Sequence, residues 1–282
     1  MSRPAIAALG TALGPDVLAA VSAMFDAEQQ ALAARAPPLA SDLHYGPDAR
    51  NLLDLYAYGR DEVRPVLLFV HGGGFLMGDK GGPDFWPNAA VGRMAAEAGL
   101  LGAVMTYRLA PDHGWPAGGE DVGAAVAWLR THARAHGGDP ERIVLLGTSA
   151  GAVHIASWLK LEPAAADKVR GIALLSGLYG YMPLDQRDTI YYGDAALYAE
   201  RMPREAVAAT ALPLFLGCAE FDPPRFQAEF LGLMQERLAR HGALPRAHFA
   251  NGHNHYSMAM HLGTGDRRLA DDIIAFVKDC CR

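Results

Sequence analysis

Ser149 stands at the centre of Gly147-Thr148-Ser149-Ala150-Gly151, directly after the apolar run Ile143-Val144-Leu145-Leu146. A strand that ends in G-x-S-x-G and runs straight into a helix makes a nucleophile elbow. The turn is so tight that its central residue takes a strained backbone conformation, and the flanking glycines leave it room. The serine oxygen is then exposed at the carboxyl edge of a sheet, at the N-terminus of a helix predicted over 150–160. Free backbone N–H groups and the helix dipole favour a developing oxyanion there. A serine hydroxyl is a weak nucleophile at neutral pH. It needs a histidine base, and the base needs a carboxylate to orient it.

A second motif of the same chemistry lies upstream. His71-Gly72-Gly73-Gly74-Phe75 follows the strand-like Val66-Leu67-Leu68-Phe69-Val70. Consecutive glycines let a backbone approach a ligand closely and turn its N–H groups inward. A tetrahedral intermediate in acyl transfer needs two or three such donors, each worth about 3–4 kcal/mol of barrier. The expected donors are the amides of Gly73, Gly74 and Ala150, the residue after the nucleophile. A merely flexible loop is the other reading of the glycines, and their order relative to the elbow argues against it.

The remaining partners are sought in the chain order Ser, then acid, then His. Pro213-Leu214-Phe215-Leu216-Gly217-Cys218-Ala219-Glu220-Phe221-Asp222 ends an apolar strand in two carboxylates. Asp222 sits just before Pro223-Pro224, where the chain is not yet helical, and is the expected acid. Glu220 is the alternative. Asp185, Asp188 and Asp194 are expected to be solvated. The base is expected in Asn251-Gly252-His253-Asn254-His255-Tyr256-Ser257, where two histidines compete. His255, followed by an aromatic residue and a helix-compatible run, is the expected base, and His253 is either an ordinary loop histidine or one that hydrogen-bonds nearby backbone. The competing use of a His-x-His pair is a metal site, but no carboxylate-rich or Cys-rich partner lies nearby in sequence.

Alternating strands and helices must hold these residues. Strands are expected near 52–58, 65–70, 100–107, 142–147, 170–176, 213–218 and 246–250. Helices are expected near 17–34, 88–98, 117–136, 150–160, 223–241 and 265–279. This alternation predicts an α/β fold with a mostly parallel sheet and helices on both faces. One stretch breaks the rhythm: a Tyr-rich insertion over 177–211, too long for a simple connection and expected to carry a helix near 193–209. With the N-terminal segment 1–38 it is expected to cap the site of one domain spanning 1–282.

Composition sets outer limits. At 282 residues and 51% hydrophobic, the chain can bury one large core. A formal charge of -6 with dispersed acids gives no nucleic-acid footprint. No apolar run approaches the roughly 20 residues of a membrane span, so no membrane partner is expected. The opening ten residues faintly resemble a signal peptide, but their apolar part is short. Three cysteines cannot build a disulfide framework and suit a reducing cytoplasm. A homodimer is compatible with the chain, and no feature of it specifies one.

Assembled, these residues resemble the hormone-sensitive-lipase-type branch of the α/β-hydrolases over most of residues 65–260. The resemblance rests on His71-Gly72-Gly73-Gly74, on Tyr107-Arg108-Leu109-Ala110-Pro111-Asp112, and on Trp115-Pro116-Ala117 with Glu120-Asp121. It continues through Gly138-Asp139-Pro140-Glu141-Arg142, the elbow, Ala219-Glu220-Phe221-Asp222-Pro223 and the His255 loop. It implies a serine carboxylesterase with a small helical cap and no cofactor, acting on a small uncharged ester through an acyl-enzyme. It also implies that the Tyr107–Pro111 segment and the Glu120/Asp121 pair are structural. Two departures matter: Thr148 where the family commonly has Asp or Glu, and His255 in an Asn-His-Tyr-Ser context. Both also resemble arylformamidase-like relatives that cleave N-formylkynurenine, although Gly74 argues for the esterase side. A non-catalytic receptor on this fold, such as the gibberellin receptors, tends to lose the catalytic histidine, whereas His255 and Asp222 are both available here.

Overall fold

The computed structural model describes residues 3–59, 62–82 and 85–282. Eight strands form one sheet: β1 (Ala40–His44), β2 (Leu52–Tyr56), β3 (Arg64–Val70), β4 (Leu101–Met105), β5 (Gly138–Thr148), β6 (Gly171–Leu175), β7 (Leu214–Phe221) and β8 (Arg246–Asn254). Their order is β1-β2-β4-β3-β5-β6-β7-β8. β1 and β2 pair antiparallel at one edge, and every pairing from β4 to β8 is parallel. Seven strands follow the expected positions. β1 does not: it is a short, mostly exposed edge strand and lacks the apolar alternation that marks the others.

The parallel strands are apolar on both faces because helices cover both. Val66, Leu68 and Val70 of β3 pack with Val122 and Val126 of α4 (Ala117–His132) and Ile155 of α5 (Ala150–Leu161). Leu67 and Phe69 turn to the opposite side, against Val91 and Met94 of α3 (Ala89–Glu97) and Ile273 and Val277 of α11 (Arg268–Cys280). Each such side chain, wholly removed from water, contributes about 1.5–3 kcal/mol. The central strands therefore carry much of the buried apolar core.

The N-terminal segment forms α1 (Arg3–Leu9) and the long α2 (Pro15–Arg35). Val21, Phe25 and Leu32 of α2 are buried with Trp86 and Ala90, and Tyr256 lies at the edge of the same cluster. The helix expected over 193–209 is not continuous. The insertion instead holds α6 (Thr189–Tyr192), a 3-10 turn, α7 (Tyr198–Arg201) and α8 (Arg204–Ala209). Gly193 at φ 71 ends the first piece. Met202, forced to an extended ψ of 137 by the following Pro203, separates α7 from α8. Among the described residues, no helix is long and apolar enough to cross a membrane.

Candidate active site

The register of the sheet brings the two glycine motifs side by side. Val70 pairs with Gly147, so the chain leaving β3 as His71-Gly72 passes next to Thr148 and Ser149 at the end of β5. A β-carbon on Gly72 would meet that of Ser149 at 3.2 Å. Ser149 caps α5 with φ 53 and ψ -121, a region that costs a non-glycine residue of order 1–3 kcal/mol. Gly151 must be glycine, because a β-carbon there would run into the Val70 carbonyl oxygen. The elbow thus depends on its second glycine for room.

Ser149, His255 and Asp222 come together in one hydrogen-bonded line. The His255 Nδ1–H donates to Asp222 Oδ1 at 2.8 Å, which leaves Nε2 as the acceptor for the Ser149 hydroxyl at 3.0 Å. Asp222 is fully buried between β7 and α9 (Pro224–His241). Its second oxygen accepts the Ala219 N–H at 2.7 Å and the Ser176 hydroxyl at 2.6 Å. The Phe226 ring, one turn into α9, packs 4.3 Å from the His255 imidazole and limits its movement.

The alternatives are placed elsewhere. Glu220 does not reach His255: it accepts the Gly252 N–H at 2.6 Å and so holds the backbone of the histidine loop. His253 pairs with side chains rather than with nearby backbone. It is 3% exposed, with Nδ1 against Ser257 Oγ at 3.1 Å and Nε2 against Asp266 Oδ2 at 3.4 Å. Asp266, thirteen residues on, is the carboxylate the local sequence did not offer, and with His261 it completes a cluster whose ligand atoms lie within 4.8 Å. The cluster is poorly shaped for an ion. The two imidazoles stack at 3.8 Å with 27° between their planes, so their in-plane lone pairs run side by side instead of converging on a point about 2 Å from each. The Arg268 guanidinium also engages both oxygens of Asp266 and holds its carboxyl well below the ordinary range.

On the other side of Ser149, Gly73 and Gly74 take φ of 136 and 59, values open to glycine. Among the described residues, their amides find no carbonyl acceptor. Ala150 opens α5, where the first-turn N–H groups lack intrahelical partners. The loop is braced from below. Tyr107 donates its hydroxyl to the His71 carbonyl at 2.9 Å, and its ring stacks on that imidazole at 4.4 Å. Burial pushes His71 down to about 4, so it is neutral. The Arg108 side chain binds Asp121 and Glu120, each at 2.9 Å, and its backbone N–H meets Asp121 at 2.7 Å. The expected structural pair therefore ties the strand-end loop to α4.

The insertion reaches the same place from above. Tyr191 stacks on Phe75 at 4.3 Å with 7° between the rings, and Tyr192 meets Phe75 edge-on at 5.7 Å. Phe75, Ala150, Val153, Leu178, Tyr191, Tyr192, Met202 and Phe226 form one apolar cluster, with Leu13 from the N-terminal segment against it. Two anchors of the insertion escaped the sequence reading. Glu229, fully buried on α9, accepts the N–H groups of Tyr179, Gly180, Tyr181 and Met182 at 2.7–3.1 Å. Asp188, expected to be solvated, is buried and paired with Arg225. The available signal was Glu229 standing in the buried row Phe226, Glu229, Leu233, Arg237 of α9. An acid at core spacing calls for partners that only another segment can supply.

The chain is similar to known proteins in both sequence and fold. A probable isoprenylcysteine alpha-carbonyl methylesterase of Oryza sativa subsp. japonica is 41% identical over 130 residues, covering 46% of this chain and 29% of that protein. Esterase LipQ of Mycobacterium tuberculosis is 30% identical over 245 residues, covering 74% of this chain and 56% of LipQ. The chain thus spans little more than half the length of LipQ and less than a third of the rice protein. In structure, a hyperthermophilic esterase from the archaeon Pyrobaculum calidifontis superposes with a TM-score of 0.70 at 21% identity, over 98% of this chain and 96% of that one. The sequence profile of the alpha/beta hydrolase fold matches residues 67–227, from β3 through the start of α9 and more than half of the chain. With that profile lying on the strands that carry the elbow, the glycine loop and Asp222, the chain belongs to the α/β-hydrolase fold family.

Proposed function

We propose that this protein is a serine carboxylesterase that hydrolyses small, uncharged esters through an acyl-enzyme. One observation carries the reading: the unbroken line from the buried Asp222 carboxylate through His255 to Ser149 at a strained elbow. Ser149 attacks the ester carbonyl while His255 Nε2 takes its proton and then passes it to the leaving alcohol. Asp222 holds the imidazole in the tautomer that does this and stabilises the imidazolium that forms. The amides of Gly73, Gly74 and Ala150 receive the oxyanion. Water, activated by His255, releases the acid, and the cycle asks for no cofactor.

The substrate class rests on the cluster around Ala150 and on the names of the relatives. Phe75, Tyr191, Tyr192 and Phe226 make an aromatic surround, which suits acyl chains of about two to six carbons or aryl esters. The relatives carry the names of a methylesterase and an esterase, which supports esters over formamides. Residues 3–38 and 177–211 act as the cap, with Leu13 and the insertion's aromatics supporting that role; residues 1 and 2 lie outside the described structure. Three free thiols, Cys218, Cys280 and Cys281, support a cytoplasmic location.

The test is direct. A fluorophosphonate should label Ser149, and p-nitrophenyl acetate should release p-nitrophenol far faster than N-formylkynurenine is cleaved. Labelling at another serine, or a preference for the formamide, would replace this reading. In a series of p-nitrophenyl esters, kcat/KM should peak at a short chain. A continued rise beyond about ten carbons, at up to ~0.8 kcal/mol per buried methylene, would point to a deep tunnel instead.

A further inference from the structure

Ser176 directly follows β6 with φ 49, a left-handed conformation that a serine adopts only at a cost. It is 2% exposed, and its backbone N–H is tied to the Gly217 carbonyl of β7 at 2.9 Å. The hydroxyl that this strained backbone directs inward lies 2.6 Å from Asp222 Oδ2, on the side of the carboxylate away from His255. An ionised carboxylate only accepts, so the Ser176 hydroxyl must donate, and a buried charge-assisted bond of this length is among the stronger kinds. The two carboxylate oxygens are thereby divided. Oδ1 serves His255, while Oδ2 is held by Ser176 and by the Ala219 N–H.

We infer that Ser176 is a positioning residue for the reaction: its hydroxyl fixes the plane of the Asp222 carboxylate so that Oδ1 faces His255 Nδ1, and it disperses part of the carboxylate charge. The inference rests on the reading of Ser149, His255 and Asp222 as the reacting line. Without the hydroxyl, Oδ2 keeps the Ala219 N–H at 2.7 Å and the Cys218 thiol at 3.5 Å, so the carboxylate is held less firmly about its Cβ–Cγ bond and is a stronger base toward the imidazole. The catalytic step then slows and the imidazolium becomes easier to form. Substrate binding is untouched, because Ser176 lies behind Asp222. The other titratable groups facing Asp222 are Cys218 on β7 and Tyr179 at the start of the insertion, both pushed far up by burial. Neither titrates through the neutral range, so a moved acid limb reports on the Asp222–His255 pair.

Two variants separate this role from a structural one. Ser176→Gly removes the hydroxyl and suits the left-handed backbone, while Ser176→Ala removes the hydroxyl and keeps the β-carbon. Both should fold and unfold only several degrees below the parent temperature, lose about ten- to a hundredfold in kcat with KM within about threefold, and move the acid limb of the kcat/KM profile up by about half to one pH unit. Fluorophosphonate labelling of the parent, mapped by mass spectrometry, runs alongside. If the parent is not labelled at Ser149, the reading of the site falls and this inference falls with it. If Ser149 is labelled but either folded variant keeps the parent kcat and acid limb, the inference alone is overturned. Failure of both variants to fold would assign the hydroxyl to the fold rather than the reaction, and would overturn it equally.

Discussion

At the carboxyl edge of the sheet, the backbone places the proposed reacting groups: β3 and β5 are in parallel register, Gly151 lets α5 start against Val70, and Ser149 is forced outward by its own φ and ψ. In the insertion over 177–211 side chains do the placing. One carboxylate, Glu229, collects four backbone N–H groups, Arg225 pairs with Asp188, and Tyr191 lies flat on Phe75. The first region is stiff because every strand neighbour enforces it. The second can be loosened by removing one atom or one charge. A site that must hold a nucleophile to within a fraction of an ångström is built the first way, and a surround that varies with substrate is built the second.

The largest effect should come from the stiff region. Ser149→Ala is expected to lower ester turnover about 10^4- to 10^6-fold with an unchanged circular dichroism spectrum. A loss of only tenfold would remove the serine from the chemistry. His255→Ala should lose nearly as much, while His253→Ala, whose ring faces Ser257 and Asp266, should stay within about tenfold of the parent. Steady-state kinetics on the pair decides it, and reversed results would move the base by two residues.

Acid should then attack the seam between the two regions. His154, on the elbow helix, lies 3.3 Å from the Tyr191 hydroxyl of the insertion, and burial pushes it down to about 3. His71 in the glycine loop is held near 4 by the same cause. In the unfolded chain both titrate near 6.5. The unfolded state therefore binds more protons between that pH and the folded values, and stability falls as pH drops through the window. Urea titrations should show constant stability above about pH 7 and a loss of up to about 3 kcal/mol per histidine by pH 4. His154→Gln should flatten that slope, and an unchanged slope would show that another group sets it.

The smallest effect belongs to the insertion's anchor. Glu229→Gln keeps the shape but removes the charge that four amides converge on, and should cost about 2 kcal/mol of stability. Hydrogen exchange should speed up at residues 179–182 before it does in the central strands. If β5 and the insertion lost protection together, the contrast between the two regions would not hold. A rise in KM larger than the fall in kcat would sharpen it, since the loosened segment is proposed to surround the substrate rather than the reacting atoms.

Much of the strand framework was legible because it is written locally. Apolar runs of strand length bounded by turn residues, with glycines at fixed offsets from Ser149, depend on neighbours within a few residues, and the strands of the parallel sheet lie close to where those runs predict them. The insertion was legible only as an interruption, because Gly193 and Met202-Pro203 cut short a helix whose composition favoured one. β1 was missed because an exposed edge strand needs no apolar alternation.

What the sequence alone determined was therefore the order of strands along the chain, the tight turn at Ser149, the glycine loop, and a short choice among carboxylates and histidines. Only the tertiary structure shows which of these side chains meet. Asp222 faces His255 while Glu220 turns to the Gly252 N–H, and His253 turns to Asp266. It also brought Ser176 to Asp222 from 46 residues away and Glu229 to the start of the insertion from about 50. The reason is geometric. Parallel strands joined by crossing helices bring together side chains far apart in sequence, and the spacing of such pairs is set by strand order and register, which no local pattern of residue types records.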